Sequence, residues 1–205
     1  MVSVKALYGG TLAGSNGKAG QVADIYFDDQ EWVLRFIVVD TGNGIRHREV
    51  LVAPSAVAAA KLEHGELAVN LTREEIEHCP DADTHPPLYR QYDWHLGNPH
   101  FLSEPEWREA ALGAPLDRHL RSTRIILGYD VVALDGPVGH VEDFTVQPRG
   151  WAIECMVASA GGWRRTPRRQ IHPQAVERID WPAHTVHLRV RSNVLGNRCD
   201  DLRQS

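Results

Sequence analysis

Gly17-Lys18-Ala19-Gly20-Gln21-Val22-Ala23-Asp24 returns as Gly136-Pro137-Val138-Gly139-His140-Val141-Glu142-Asp143, a shift of 119 positions. Without a gap, the same shift pairs Gly9 with Gly128, Trp32 with Trp151, Gly42 with Gly161 and Arg46 with Arg165. It also pairs Pro54-Ser55-Ala56-Val57 with Pro173-Gln174-Ala175-Val176. Apolar positions hold between these identities: Ile25/Phe144, Leu34/Ile153, Ile37/Met156, Val38/Val157, Leu67/Val186 and Val69/Leu188. Chance supplies a few glycine matches. It does not keep Trp, Pro and the apolar positions in one register over roughly seventy residues. The chain is a tandem of two copies.

Each copy reads as β. Gln21 to Phe27 is rich in β-formers, Leu34 to Val39 is a short apolar run, and Val50-Leu51-Val52 is another. Asn16-Gly17 and Asp135-Gly136 are hairpin-turn signals. Thr41-Gly42-Asn43-Gly44 and Ser159-Ala160-Gly161-Gly162 mark the next loop of each copy. Pro54 to Val57 predicts a single helical turn, and Leu67 to Leu71 a final strand. Thr72 is a candidate helix N-cap with Glu at N3. Short strands separated by turns predict a mainly β fold, two small antiparallel barrels with short helices. The expected organisation is 1–83, a connecting segment 84–123, and 124–205. The connecting segment is rich in Pro, His and aromatics, including Tyr89, Tyr92, Trp94 and Phe101, and is expected to pack on the barrels.

Composition bounds the function. Of the 205 residues, 42% are hydrophobic and 24% charged, ordinary for a soluble globular protein. No apolar run approaches the ~20 residues of a membrane span. The N-terminus lacks the pattern of a signal peptide, so a cytoplasmic location is expected. Cys79, Cys155 and Cys199 are then expected to be free thiols. The net charge of −5 is uneven: residues 1–83 carry −6 and residues 124–205 carry +2.

The residues of these copies resemble the PRC-barrel family. The resemblance rests on Gly17 to Asp29, Trp32, Arg35 to Gly42 and Val50 to Pro54, with Asp135 to Phe144, Trp151 to Ile153 and Ile171 to Pro173 in copy two. Asp117 to Ser122 is similar to the segment that opens the second copy in tandem members. The resemblance implies two small PRC-type β-barrels in tandem. It also implies a non-catalytic docking role. The family includes the cytoplasmic domain of the photosynthetic reaction-centre H subunit and the C-terminal domain of a ribosome-maturation factor. Copy two departs from the family pattern where Asp40 becomes Ser159 and Val50-Leu51-Val52 becomes Arg169-Gln170-Ile171, which points to a surface of its own.

A catalytic carboxylate pair needs both acids across one cleft. Asp24 and Asp143 repeat at one place in two copies, which favours a turn or a buried hydrogen bond. Trp32 and Trp151 are expected to anchor cores, with ligand stacking as the alternative. Gly20 and Gly139 are taken as structural with them. Neither His95/His100 nor His184/His187 has strong metal-ligand spacing, so no metal or cofactor is expected. No nucleophile elbow, Walker loop or dinucleotide fingerprint is present, and no catalytic residue is assigned. Arg164, Arg165, Arg168 and Arg169 form the one cluster with a plausible binding role, holding phosphate or carboxylate; the alternatives are a solvated loop or a contact with acidic copy one, which offers Asp28, Asp29 and Glu31. The leading expectation is an interaction protein that docks on a protein partner or self-associates, a homodimer included. A ribosome- or nucleic-acid-associated role through the arginine cluster is the alternative, disfavoured by the net charge. A photosynthetic-complex role rests on family analogy alone.

Overall fold

The structure is a computed structural model of the chain. It describes residues 1–42, 48–61, 66–88, 90, 117–160 and 168–196. The strands in chain order are β1 Val2–Ser3, β2 Thr11–Gly14, β3 Gly17–Asp28, β4 Val33–Asp40, β5 Glu49–Val52, β6 Val57–Lys61 and β7 Glu66–Val69. They continue with β8 Leu120–Ser122, β9 Asp130–Ala133, β10 Gly136–Val146, β11 Ile153–Ser159, β12 Arg168–Ile171, β13 Val176–Asp180 and β14 Thr185–Leu188. Helices are few and short, and among the described residues none is long and apolar enough to cross a membrane.

Two compact units result. The first is Leu7–Ser122; the second is Met1–Ala6 together with Thr123–Ser205. Residues 1–6 therefore group with copy two, and β8, at the head of copy two, groups with copy one. The strand order is β5-β4-β3-β2-β7-β6 in the first unit, with β8 added on β3. It is β12-β11-β10-β9-β14-β13 in the second, with β1 added on β10. The 119-residue shift carries β5, the 3-10 turn Pro54–Ala56, β6 and β7 onto β12, Pro173–Ala175, β13 and β14 residue for residue. It also carries the pairing Tyr26↔Ser122 onto Thr145↔Ser3. Each copy's leading strand thus completes the sheet of the other copy.

The sheets are mixed, which corrects the antiparallel expectation. β2 runs parallel to β7, and β9 parallel to β14. The cause is the Pro54–Ala56 turn between β5 and β6. A single 3-10 turn offsets the chain without reversing it, so the β6–β7 hairpin returns alongside β2 in the same direction. Among the described residues no ladder joins β5 to β6, or β12 to β13.

Local signals act as their chemistry dictates. Gly17 and Gly136 close the hairpins at φ +133° and +134°, a region closed to other residues. Thr72 and Glu75 form a reciprocal capping box on the helix Arg73–Glu77, and this helix buries Ile76. In the first unit Leu12, Val22, Ile25, Phe27, Ile37, Val39, Val50, Val52 and Leu67 are buried. Val131, Val141, Phe144, Val146, Ile153, Met156, Ile171, Val186 and Leu188 are buried in the second. The far half of β3 is buried on both faces. There Tyr26, Val38, Leu51, Ala82 and Leu120 form a further cluster, with Ala23 and Phe36 packed against it.

Of the connecting segment, Pro86, Pro87 and Leu88 are buried; Tyr89, Tyr92, Trp94 and Phe101 lie outside the described residues. The free-thiol expectation holds for Cys79 and fails for Cys155, which is disulfide-bonded. The partner of Cys155 and the position of Cys199 lie outside the described residues. A disulfide there means that an odd cysteine count did not imply three thiols, because two cysteines far apart in sequence can still meet. Burial raises the pKa of Cys79 above the usual thiol value.

Candidate partner-binding site

The repeated acids occupy β-bulges, where a strand carries one extra residue and re-aims its side chain. Asp24 is buried; it accepts from the Ser122 hydroxyl at 2.5 Å and from the Ile25 N–H at 2.7 Å. Asp143 repeats this arrangement, accepting from the Ser3 hydroxyl at 2.5 Å and from the Phe144 N–H at 2.8 Å, and adds the Lys5 N–H at 2.9 Å. Each acid thus clasps the exchanged strand through the serine at its end. Gly20 and Gly139 sit where neighbouring backbone approaches closely: a Cβ at Gly20 would lie 2.6 Å from the Asp40 carbonyl oxygen, and at Gly139 2.3 Å from that of Ser159. Trp32 and Trp151 share a left-handed backbone, with φ of +52° and +57°. Trp32 packs on Phe27 at a centroid distance of 5.6 Å, and Trp151 is buried.

Beside β8 lies a charge cluster; at the places of Asp28, Asp29, Arg35 and Arg121 the second unit has Gln147, Pro148, Glu154 and Val2. Asp29 accepts from Arg121 Nε at 2.5 Å and is bonded to His119 Nδ1 at 2.8 Å. Asp28 pairs with Arg35 at 3.2 Å and accepts the N–H groups of Gln30 and Glu31. Asp28 and Asp29, considered above as partners for the arginine cluster, are therefore engaged within their own unit.

Of that cluster, Arg164 and Arg165 lie outside the described residues. Arg168 grips Glu142 with two hydrogen bonds, 3.0 Å from Nε and 2.5 Å from Nη2, and this pairing raises its pKa above the usual guanidinium value. Arg169 donates to the Leu195 carbonyl at 3.1 Å. Both partners belong to copy two.

The matching end of the first unit carries an open cleft of about 600 Å³, lined by Asp40, Arg48, Glu49, Asp81, Ala82, Asp83, Thr84 and Arg90. Arg48 bonds Asp81 at 2.8 Å and the Glu77 carbonyl; Arg90 bonds Glu49 at 3.1 Å and Asp83 at 3.5 Å. Among the described residues of its lining, four carboxylates stand against two guanidiniums. At this end Asp40 faces Glu49 across β4 and β5, whereas Ser159 faces Arg168 across β11 and β12. Sequence reasoning missed the cleft because its residues come from four separated segments. The signal available was that Asp40 and Glu49 become Ser159 and Arg168 at matched positions of the repeat.

His95 and His100 lie outside the described residues. His184 stacks on Tyr129 at 5.0 Å, and His187 lies within β14. Among the described residues no three His, Cys, Asp or Glu side chains are grouped to hold a metal ion. Comparison of the sequence with known protein families and with curated proteins finds no match.

Proposed function

We propose that the chain is a non-catalytic interaction protein whose two units, each a PRC-type barrel, present different docking surfaces at matching sheet ends. One observation carries the proposal. The copies share their element bounds over β5 to β7 and β12 to β14, yet they differ in charge where β4 meets β5 and β11 meets β12. Charge changes at other matched positions too, such as Arg35/Glu154 and Lys61/Asp180, but at this end it falls beside an open cleft. Surfaces of unlike charge suit unlike partners, since complementary charge sets specificity. The first unit offers an acidic cleft suited to a basic protein segment. The second offers the arginine-bearing segment 164–169, suited to an acidic one. The resemblance to PRC-barrels implies docking in the same way.

Affinity capture from the native cell with three baits tests this: wild type, Asp40→Asn/Glu49→Gln, and Arg164→Ser/Arg165→Ser. The expected result is a protein partner held by wild type and lost by at least one variant, with melting temperature unchanged. Identical recoveries from all three baits would overturn the proposal. Ribosomal proteins or RNA lost with the arginine variant would move the assignment to ribosome association, and pigment–protein subunits to a photosynthetic complex.

A further inference from the structure

We infer that Asp29 and Arg121 form an address that assigns each exchanged strand to its own acceptor edge. The edge of β3 accepts Leu120-Arg121-Ser122, and the edge of β10 accepts Val2-Ser3. The serines are equivalent and make the same bond to Asp24 or Asp143. They cannot tell one edge from the other. The residue before each serine can. On β3 it is Arg121, opposite Phe27, with its side chain 12% exposed and bonded to Asp29, which is 11% exposed. On β10 it is Val2, opposite Val146 and 3% exposed.

Exchanging the strands exposes the logic. With Val2 on β3, Asp29 would lose both Arg121 and His119, which leaves with β8, in a nearly buried place. With Arg121 on β10, a guanidinium would enter the apolar site of Val2, where Pro148 stands at the position of Asp29. Both errors leave a charge buried without its partner, which is strongly unfavourable. Stability alone does not explain the arginine, because Arg121 Nη1 is buried without a hydrogen-bond partner among the described residues. A valine in its place would bury no such donor, as Val2 shows. The pair is therefore a selectivity device, in which a polar contact specifies register and partner at some cost in stability. The acceptor edge of the first unit selects an extended segment with arginine before serine; the edge of the second selects an apolar residue there.

The address should be transplantable, and the full chain can test it by hydrogen exchange. The Val4 N–H, bonded to the Phe144 carbonyl at 2.9 Å, reports β1 on β10. Val2→Arg should lower its protection by at least about tenfold, and adding Pro148→Asp should restore most of it. In the first unit Arg121→Val should lower protection at the Asp29 N–H, which bonds the His119 carbonyl, and adding Asp29→Ala should recover it. This second pair needs no arginine in an apolar site, so it decides the matter even if Val2→Arg fails to fold. Full protection in the single variants, or single variants no better after the second change, would overturn the inference.

Discussion

Leu120 and Met1 stand at equivalent places at the head of the exchanged strands, yet Leu120 is 1% exposed and Met1 74%. The contrast extends over a whole face. Tyr26, Leu51, Ala23 and Phe36 pack together in the first unit; their counterparts are Thr145, Gln170, Glu142 and Cys155. The inner faces differ little, because both must fill the same space between the same strands. The outer faces are free to part. In the first unit that face is closed by Ala82 and Leu120, with the Leu51 N–H bonding the Pro80 carbonyl. In the second, Cys155 stands at the place of Phe36, fully buried and disulfide-bonded. A duplicated fold thus keeps one face for folding and varies the other.

Deleting a side chain from this face in each unit gives the largest expected difference. Leu51→Ala should cost about 2–5 kcal/mol, as buried leucine truncations do. The equivalent Gln170→Ala should cost less, because Gln170 is only half-buried and its truncation leaves a smaller void. Urea unfolding, followed by hydrogen exchange in each unit, measures both. Similar losses would mean that the outer face of the second unit is also a packed core.

The paired glycines sharpen the comparison. Gly20→Ala should cost about 1–3 kcal/mol through crowding, since its Cβ would also meet Val39 Cγ1 at 2.6 Å. Gly139→Ala should cost more. Its Cβ would meet only backbone at Ser159 and Ala160, and its φ of +144° adds strain of about 1–3 kcal/mol. Equal melting-temperature shifts would show that φ does not separate the two sites.

The serine clasps come next. Ser122→Ala should cost about 1–3 kcal/mol, because buried Asp24 loses its hydroxyl donor. Ser3→Ala should cost less, because Asp143 is only part-buried and keeps the N–H groups of Lys5 and Phe144. Thermal unfolding of the two variants decides this, and a larger loss for Ser3→Ala would reverse the ranking.

What was legible in the sequence was local. Alternation placed β3, Asn16-Gly17 placed its turn, and Thr72 with Glu75 placed a capped helix, because each signal is read by neighbours a few residues away. The duplication was legible because glycine, tryptophan and proline answer backbone demands that recur in both copies. Strand exchange was not. β1 and β10 meet across some 140 residues, and nothing in Val2-Ser3 names its partner until Asp143 stands beside it. The parallel β2–β7 ladder was hidden for the same reason, since a three-residue turn at Pro54 does not announce whether it reverses the chain. The acidic cleft required four segments to converge, and the Asp29–Arg121 pair joins residues 92 positions apart.

The smallest expected effect lies in the tie between each hairpin turn and the segment after the last strand. Asn16 Oδ1 accepts the Arg73 N–H at 2.8 Å. At the equivalent place Asp135 accepts the Ser192 N–H at 2.7 Å through Oδ1 and its hydroxyl at 2.9 Å through Oδ2. These bonds from Ser192 hold the Asp135 carboxyl below its ordinary range. Its folded pKa is therefore lower than its unfolded one. The tie contributes fully above the ordinary carboxylate pKa of about 3.9 and is lost as pH falls through the lower folded value. In the first unit Asn16 does not titrate. Its Nδ2 donates to Glu74 at 2.8 Å and lowers the pKa of that acid, so acid weakens this side-chain bond but leaves the backbone one. Asp135→Asn should give the second unit the behaviour of the first. Protection of the Ser192 N–H should fall slightly at neutral pH, because a charged acceptor is replaced by a neutral one. On acidification below about pH 4 it should fall less than in wild type. Hydrogen exchange at Ser192, compared with Arg73 across that range, makes the measurement. A variant whose Ser192 protection collapses with acid as steeply as in wild type would place the acid sensitivity of this tie outside Asp135.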